Sequence, residues 1–110
     1  MKVDINNIGG SVVKLNDTYK LIDNNFLNDL VLSSTNLNPK KETRGHSHDK
    51  QEEIYFIHKG KGLMVLDDNE FPIESGDIIL IPAGVFHKVI NTTNNPLYFV
   101  CVFAGESQRD

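Results

Sequence analysis

All four histidines fall between Gly45 and Asn91, where Gly, Pro, Asn and Asp repeatedly interrupt short apolar pieces. Pieces such as Ile54-Tyr55-Phe56-Ile57 and Ile78-Ile79-Leu80-Ile81 are rich in β-branched and aromatic residues and too short for ordinary helices, so they read as strands. A histidine on a strand has a definite facing. Successive side chains point to opposite faces, so His46 and His48, two apart, share one face and form a natural chelating pair. The spacing to His87 is one that a β-barrel brings together with that pair.

Taken in order, residues 1–28 are rich in Asn and Asp, with apolar pieces at Val12-Val13, Leu21-Ile22 and Phe26-Leu27. They are expected to form an N-terminal extension of short strands or a single helical turn, packed on the barrel or on a partner. The barrel itself is assigned to 29–105. Its strands are expected at 30–35, 43–48 and 52–58, then as a hairpin of 63–66 and 71–73 about Asp67-Asp68-Asn69, with Pro72 marking an edge or bulge. Ile78 to Ile81 reads as a buried strand stopped by Pro82-Ala83-Gly84; 86–90 and 97–103 complete the set, and 106–110 reads as a frayed tail. Many short strands, regular turns and no 3.6-residue period predict an all-β sandwich or barrel.

Composition narrows the function classes. A chain of 110 residues makes one domain that buries roughly 60 to 70% of its unfolded surface. Its net charge of −4, with no basic run, argues against nucleic acid as a partner. Cys101, the single cysteine, cannot form an intramolecular disulfide, and the amino end lacks the apolar core of a secretory signal, so the reducing cytoplasm is the expected compartment. No apolar run approaches the ~20 residues that span a bilayer, so no membrane association is expected.

Imidazole and carboxylate together suit first-row divalent metals and leave positions open on a six-coordinate ion. Of the adjacent glutamates, Glu53 shares a face with Tyr55 and Ile57, whereas Glu52 shares the other with Ile54, Phe56 and His58, so only one can face a metal. The segment resembles the two motifs of the cupin family. His46-Ser47-His48, four residues, Glu53, six residues and Gly60 fit the first; Gly76, Pro82-Ala83-Gly84, His87 and Asn91 meet the second. The first motif's leading glycine falls at Lys40, which puts only the turn there in question. The resemblance implies a double-stranded β-helix, or jelly-roll barrel, with His46, His48, Glu53 and His87 as ligands of one divalent transition metal: Fe, Mn, Ni, Co or Zn. The choice of Glu53 over Glu52 rests on the family spacing. Gly60, Gly76, Pro82 and Gly84 are read as turn-setting residues.

Arg44 shares strand parity with His46 and His48 and is a candidate to hold an anionic substrate; Tyr55, on the face of Glu53, is the other pocket candidate. His58 is expected at the surface and Cys101 in the core. The leading function is a metal-dependent enzyme acting as a Lewis acid on a small polar metabolite such as a sugar, in the manner of isomerase or epimerase members. The alternatives are an iron or manganese dioxygenase and a non-enzymatic module that binds or senses a small molecule. A homodimer is expected, because β-prone segments with no covering helix leave an edge or apolar face to protect.

Overall fold

The computed structural model describes residues 1–104, so the tail expected at 106–110 lies outside the described residues. Every element among them is a strand: β1 (Ser11–Leu15), β2 (Tyr19–Asn24), β3 (Leu30–Leu37), β4 (Glu53–Lys59), β5 (Lys61–Leu66), β6 (Asn69–Glu74), β7 (Ile78–Ile81), β8 (His87–Ile90) and β9 (Leu97–Ala104). They form an antiparallel six-stranded sheet in the order β1-β2-β3-β9-β4-β7 and a three-stranded sheet in the order β6-β5-β8. No helix among the described residues is long and apolar enough to cross a membrane.

The two-residue period decides what is buried. On β4, Glu53, Tyr55 and Ile57 point inward while Ile54 points out; on β9, Leu97, Phe99, Cys101 and Phe103 point inward. Together with Val31, Leu37, Met64, Ile73, Ile79, Ile81 and Val89 they make one core between the sheets, with Cys101 in it as expected. Pro72 sits on β6, an edge strand, where its missing N–H costs no ladder bond.

Several expectations are corrected. Of the two forms expected for residues 1–28, short strands are the one adopted, not a helical turn: β1 and β2 are a hairpin added to the edge of the large sheet, whereas Phe26 and Leu27 lie outside any strand, exposed. β7 is not buried on both faces. It is the other edge of that sheet, with Ile79 and Ile81 inward but Ile78 58% and Leu80 68% exposed.

Residues 43–48 are not a regular strand either. The segment touches β8 through two isolated bridges, Glu42↔Ile90 and His46↔His87. Four steps on this side face three on β8, so one residue is extra and the ladder bulges. Thr43 fills the gap with its side chain, Oγ1 accepting the Val89 N–H at 2.9 Å. Gly45 takes φ +81°, and a Cβ there would come within 2.5 Å of the Phe86 ring, so only glycine fits. Lys40, where the family motif has glycine, adopts the left-handed backbone itself at φ +63°. Its N–H and ammonium donate to the carbonyls of Thr93 and Thr92, which holds the turn.

Candidate metal centre

His87 opens β8 and lies opposite His46, the two residues exchanging both backbone hydrogen bonds at 2.9 and 3.1 Å. The Gly84 N–H donates to the His48 carbonyl at 2.6 Å, which ties the His46-Ser47-His48 segment to the Pro82-Ala83-Gly84 turn. Glu53 comes from the inner face of β4. One donor atom each from His46, Glu53 and His87 lie within 4.8 Å of one another. His48 stands beside this trio, its ring 4.7 Å from that of His46.

The carboxylate and His87 are 6% and 3% exposed, whereas His46 is 51% exposed. Burial alone would push the Glu53 carboxyl up, but contacts with His46 and His87 and their charges outweigh it and bring it down to about 2. Burial pulls His87 toward the neutral form, and the Glu53 contact, the Val85 carbonyl and the Glu53 charge more than offset this, raising its pKa. His87 Nδ1 lies 3.0 Å from the Val85 carbonyl, which can only accept, so Nδ1 carries the proton. Its Nε2 is buried and, although 3.2 Å from Glu53 Oε1, has no aligned hydrogen-bond partner. A buried, orphaned imidazole nitrogen beside an ionised carboxylate and a second imidazole is a donor set that fits a divalent transition metal.

The cluster opens into a cavity of about 430 Å³. Tyr55 lines it, stacked on Phe99 at 5.1 Å and edge-on to His87 at 5.9 Å; burial, with the charges of Cys101 and Glu53, pushes its phenol well above the ordinary value. Arg44 also lines the cavity, but from the bulged segment and exposed, not by the strand parity expected of it. Glu52 is exposed on the opposite face. His58 is half-buried on the outer face, against the Tyr98 ring at 6.0 Å.

Sequence reasoning missed much of the wall. Tyr19, Leu21 and Asp23 of β2, Ser33 and Thr35 of β3, and Gln51 all line the cavity. Asp23 pairs with Ser33, Ser33 with Cys101 and Cys101 with Tyr55, so one row of inward side chains crosses four strands and forms its floor. Ser33 and Thr35 are polar residues at inward positions between Val31 and Leu37, a signal present in the sequence.

An antiparallel jelly roll, two sheets enclosing a cavity with histidines and a carboxylate on its inner wall, defines a double-stranded β-helix protein. Residues 34–103 match the Cupin domain family, and the chain belongs to that family. It is 33% identical over 95 residues to a glucose-6-phosphate isomerase of Thermococcus onnurineus, covering 74% of this chain and 50% of that protein. Thus it spans about half the length of the curated relatives it matches. A predicted oxalate decarboxylase from Thermotoga maritima superposes with a TM-score of 0.71 at 25% identity, covering 78% of this chain and 79% of the other. A Klebsiella pneumoniae protein with a double-stranded β-helix domain gives a TM-score of 0.78 at 21% identity over 88% of this chain and 85% of the other, which shows the fold alone.

Proposed function

We propose that the protein is a metal-dependent isomerase or epimerase of a small hydroxylated metabolite, such as a sugar phosphate. The observation that carries this reading is the cluster of Glu53, His87 and His46, held within 4.8 Å at the wall of a cavity large enough for a ligand of that size. His46, Glu53 and His87 are the ligands, with His48 as the fourth, and the ion is Fe, Mn, Ni, Co or Zn. When bound, such an ion polarises a carbonyl or hydroxyl as a Lewis acid. Burial keeps the Tyr55 phenol protonated, so it donates a hydrogen bond to the ligand. Arg44 pairs with the anionic end from the open side of the cavity.

The likeness to glucose-6-phosphate isomerases supports the choice of substrate class. The lone Cys101, buried and reduced, suits the cytoplasm. Pairing of two copies through the exposed apolar residues of the sheet edges, Val12 and Leu15 on β1 or Ile78 and Leu80 on β7, accounts for a surface that water disfavours. Static light scattering tests that part, a mass near 12 kDa excluding the dimer.

The decisive experiment loads the protein with each of the five metals and follows interconversion of glucose 6-phosphate and fructose 6-phosphate. Isomerisation with at least one metal is expected. Oxygen uptake by the iron- or manganese-loaded protein in place of isomerisation would move it to the dioxygenases; neither activity with any metal would leave a binding module.

A further inference from the structure

Gln51 stands in the polar stretch between His48 and β4, outside any strand. The structure buries it to 4% exposure and lines the cavity with it, two residues before the carboxylate of the metal centre. Its Nε2 donates to the Ala104 carbonyl at 3.2 Å. A carbonyl oxygen can only accept, so this contact settles which end of the amide is which and leaves Oε1 as the remaining polar atom. Among the described residues that is the one hydrogen bond the Gln51 side chain makes. Among the described residues the one fully buried side-chain polar atom without a hydrogen-bond partner is His87 Nε2, so Gln51 Oε1, oriented by its own nitrogen, keeps some contact with solvent, and a ligand hydroxyl can take the place of that water.

We infer that Gln51 is a ligand-selecting residue of the cavity: its Oε1 accepts a hydrogen bond from a hydroxyl of the molecule bound at the cluster, and so favours hydroxylated ligands over those that present only carboxylate oxygens. This rests on the proposed metal centre and deepens it. The charge logic is one-sided. An amide oxygen gains from an O–H and is repelled by a carboxylate oxygen. The fixed amide also loses little conformational freedom when the ligand arrives.

Two small chelators separate hydroxyl from carboxylate recognition. Glycolate offers a metal one carboxylate and one hydroxyl; oxalate offers two carboxylates and no O–H. The affinities of both for the Co²⁺-loaded protein are measured by titration of its visible spectrum, after metal analysis has established equal loading of each variant. Gln51→Met keeps the volume and removes both polar atoms. It is expected to weaken glycolate by between about two- and tenfold, the range of one lost hydrogen bond, and to leave oxalate unchanged or tighter. Gln51→Glu keeps an acceptor and adds charge, so the preference for glycolate over oxalate should rise. An unchanged glycolate-to-oxalate ratio in either folded variant overturns the inference, as does equal weakening of both ligands. The readout needs no turnover: a protein that isomerises no sugar phosphate but shows the shifted ratio loses the proposed reaction and keeps this residue's role, and one that takes up no Co²⁺ loses both.

Discussion

The metal centre has two halves built in different ways. Glu53 and His87 stand on regular strands, buried, with registers set by long ladders on β4 and β8. His46 and His48 stand on a bulged segment held by two isolated bridges and the Gly84 contact, with His46 half-exposed. The buried half is positioned by the core and is costly to leave unpaired. The exposed half is positioned by a few backbone contacts, so it can yield when a metal or ligand arrives.

Truncating the two halves should therefore give unequal results. His87→Ala is expected to lower Co²⁺ affinity by more than the ~100-fold that loss of an outer-shell partner reaches, because it removes a pre-aimed buried donor. His46→Ala should cost less, on the order of tenfold, since water can enter that exposed position. Equal losses would show that burial does not rank the ligands. Glu53→Gln should weaken the site strongly and Glu52→Gln leave it intact, because adjacent strand residues face opposite ways; metal analysis of the two purified variants decides it.

Acidity gives the next effect in size. In the metal-free protein Glu53 falls from 4.5 to about 2, so the stability it contributes is present above about pH 4.5 and is lost as pH falls through about 2. His87 shifts the other way: its contribution is full below 6.5 and is lost as pH rises through its raised value. Metal-free protein should thus be most stable between these limits, and the Glu53 share, roughly 3 kcal/mol, should vanish in Glu53→Gln. Chemical denaturation at pH 3, 5.5 and 8 measures it, and a variant with the parent's pH profile would refute the pairing.

Backbone substitutions sharpen the account of the exposed half. Gly45→Ala puts a Cβ into the Phe86 ring at a left-handed backbone, and should cost about 2 kcal/mol and loosen the metal site through His46. Lys40→Gly should change stability by less than about 1 kcal/mol, since relief of the left-handed backbone is offset by the lost Thr92 contact and a more flexible unfolded chain. A Gly45→Ala protein as stable as the parent would show that the bulge can shift to accommodate the methyl group.

The strands β4 to β9 and the shared face of Glu53, Tyr55 and Ile57 were legible in the sequence, because a two-residue alternation and Gly/Pro punctuation are local signals; that this face turns inward followed only from the family spacing. So was the resemblance that implied the ligand set, since motif spacing is written along one chain. The bulge at 43–46 was not, because it is a mismatch of four steps against three between segments forty residues apart. Nor was the edge position of β7: an Ile-Ile-Leu-Ile run looks the same whether one face or both are covered. Gln51 and the β2 residues joined the cavity only through tertiary structure. A side chain's neighbours across a sheet are set by pairing and closure, and those depend on contacts distant in sequence that local periodicity does not record.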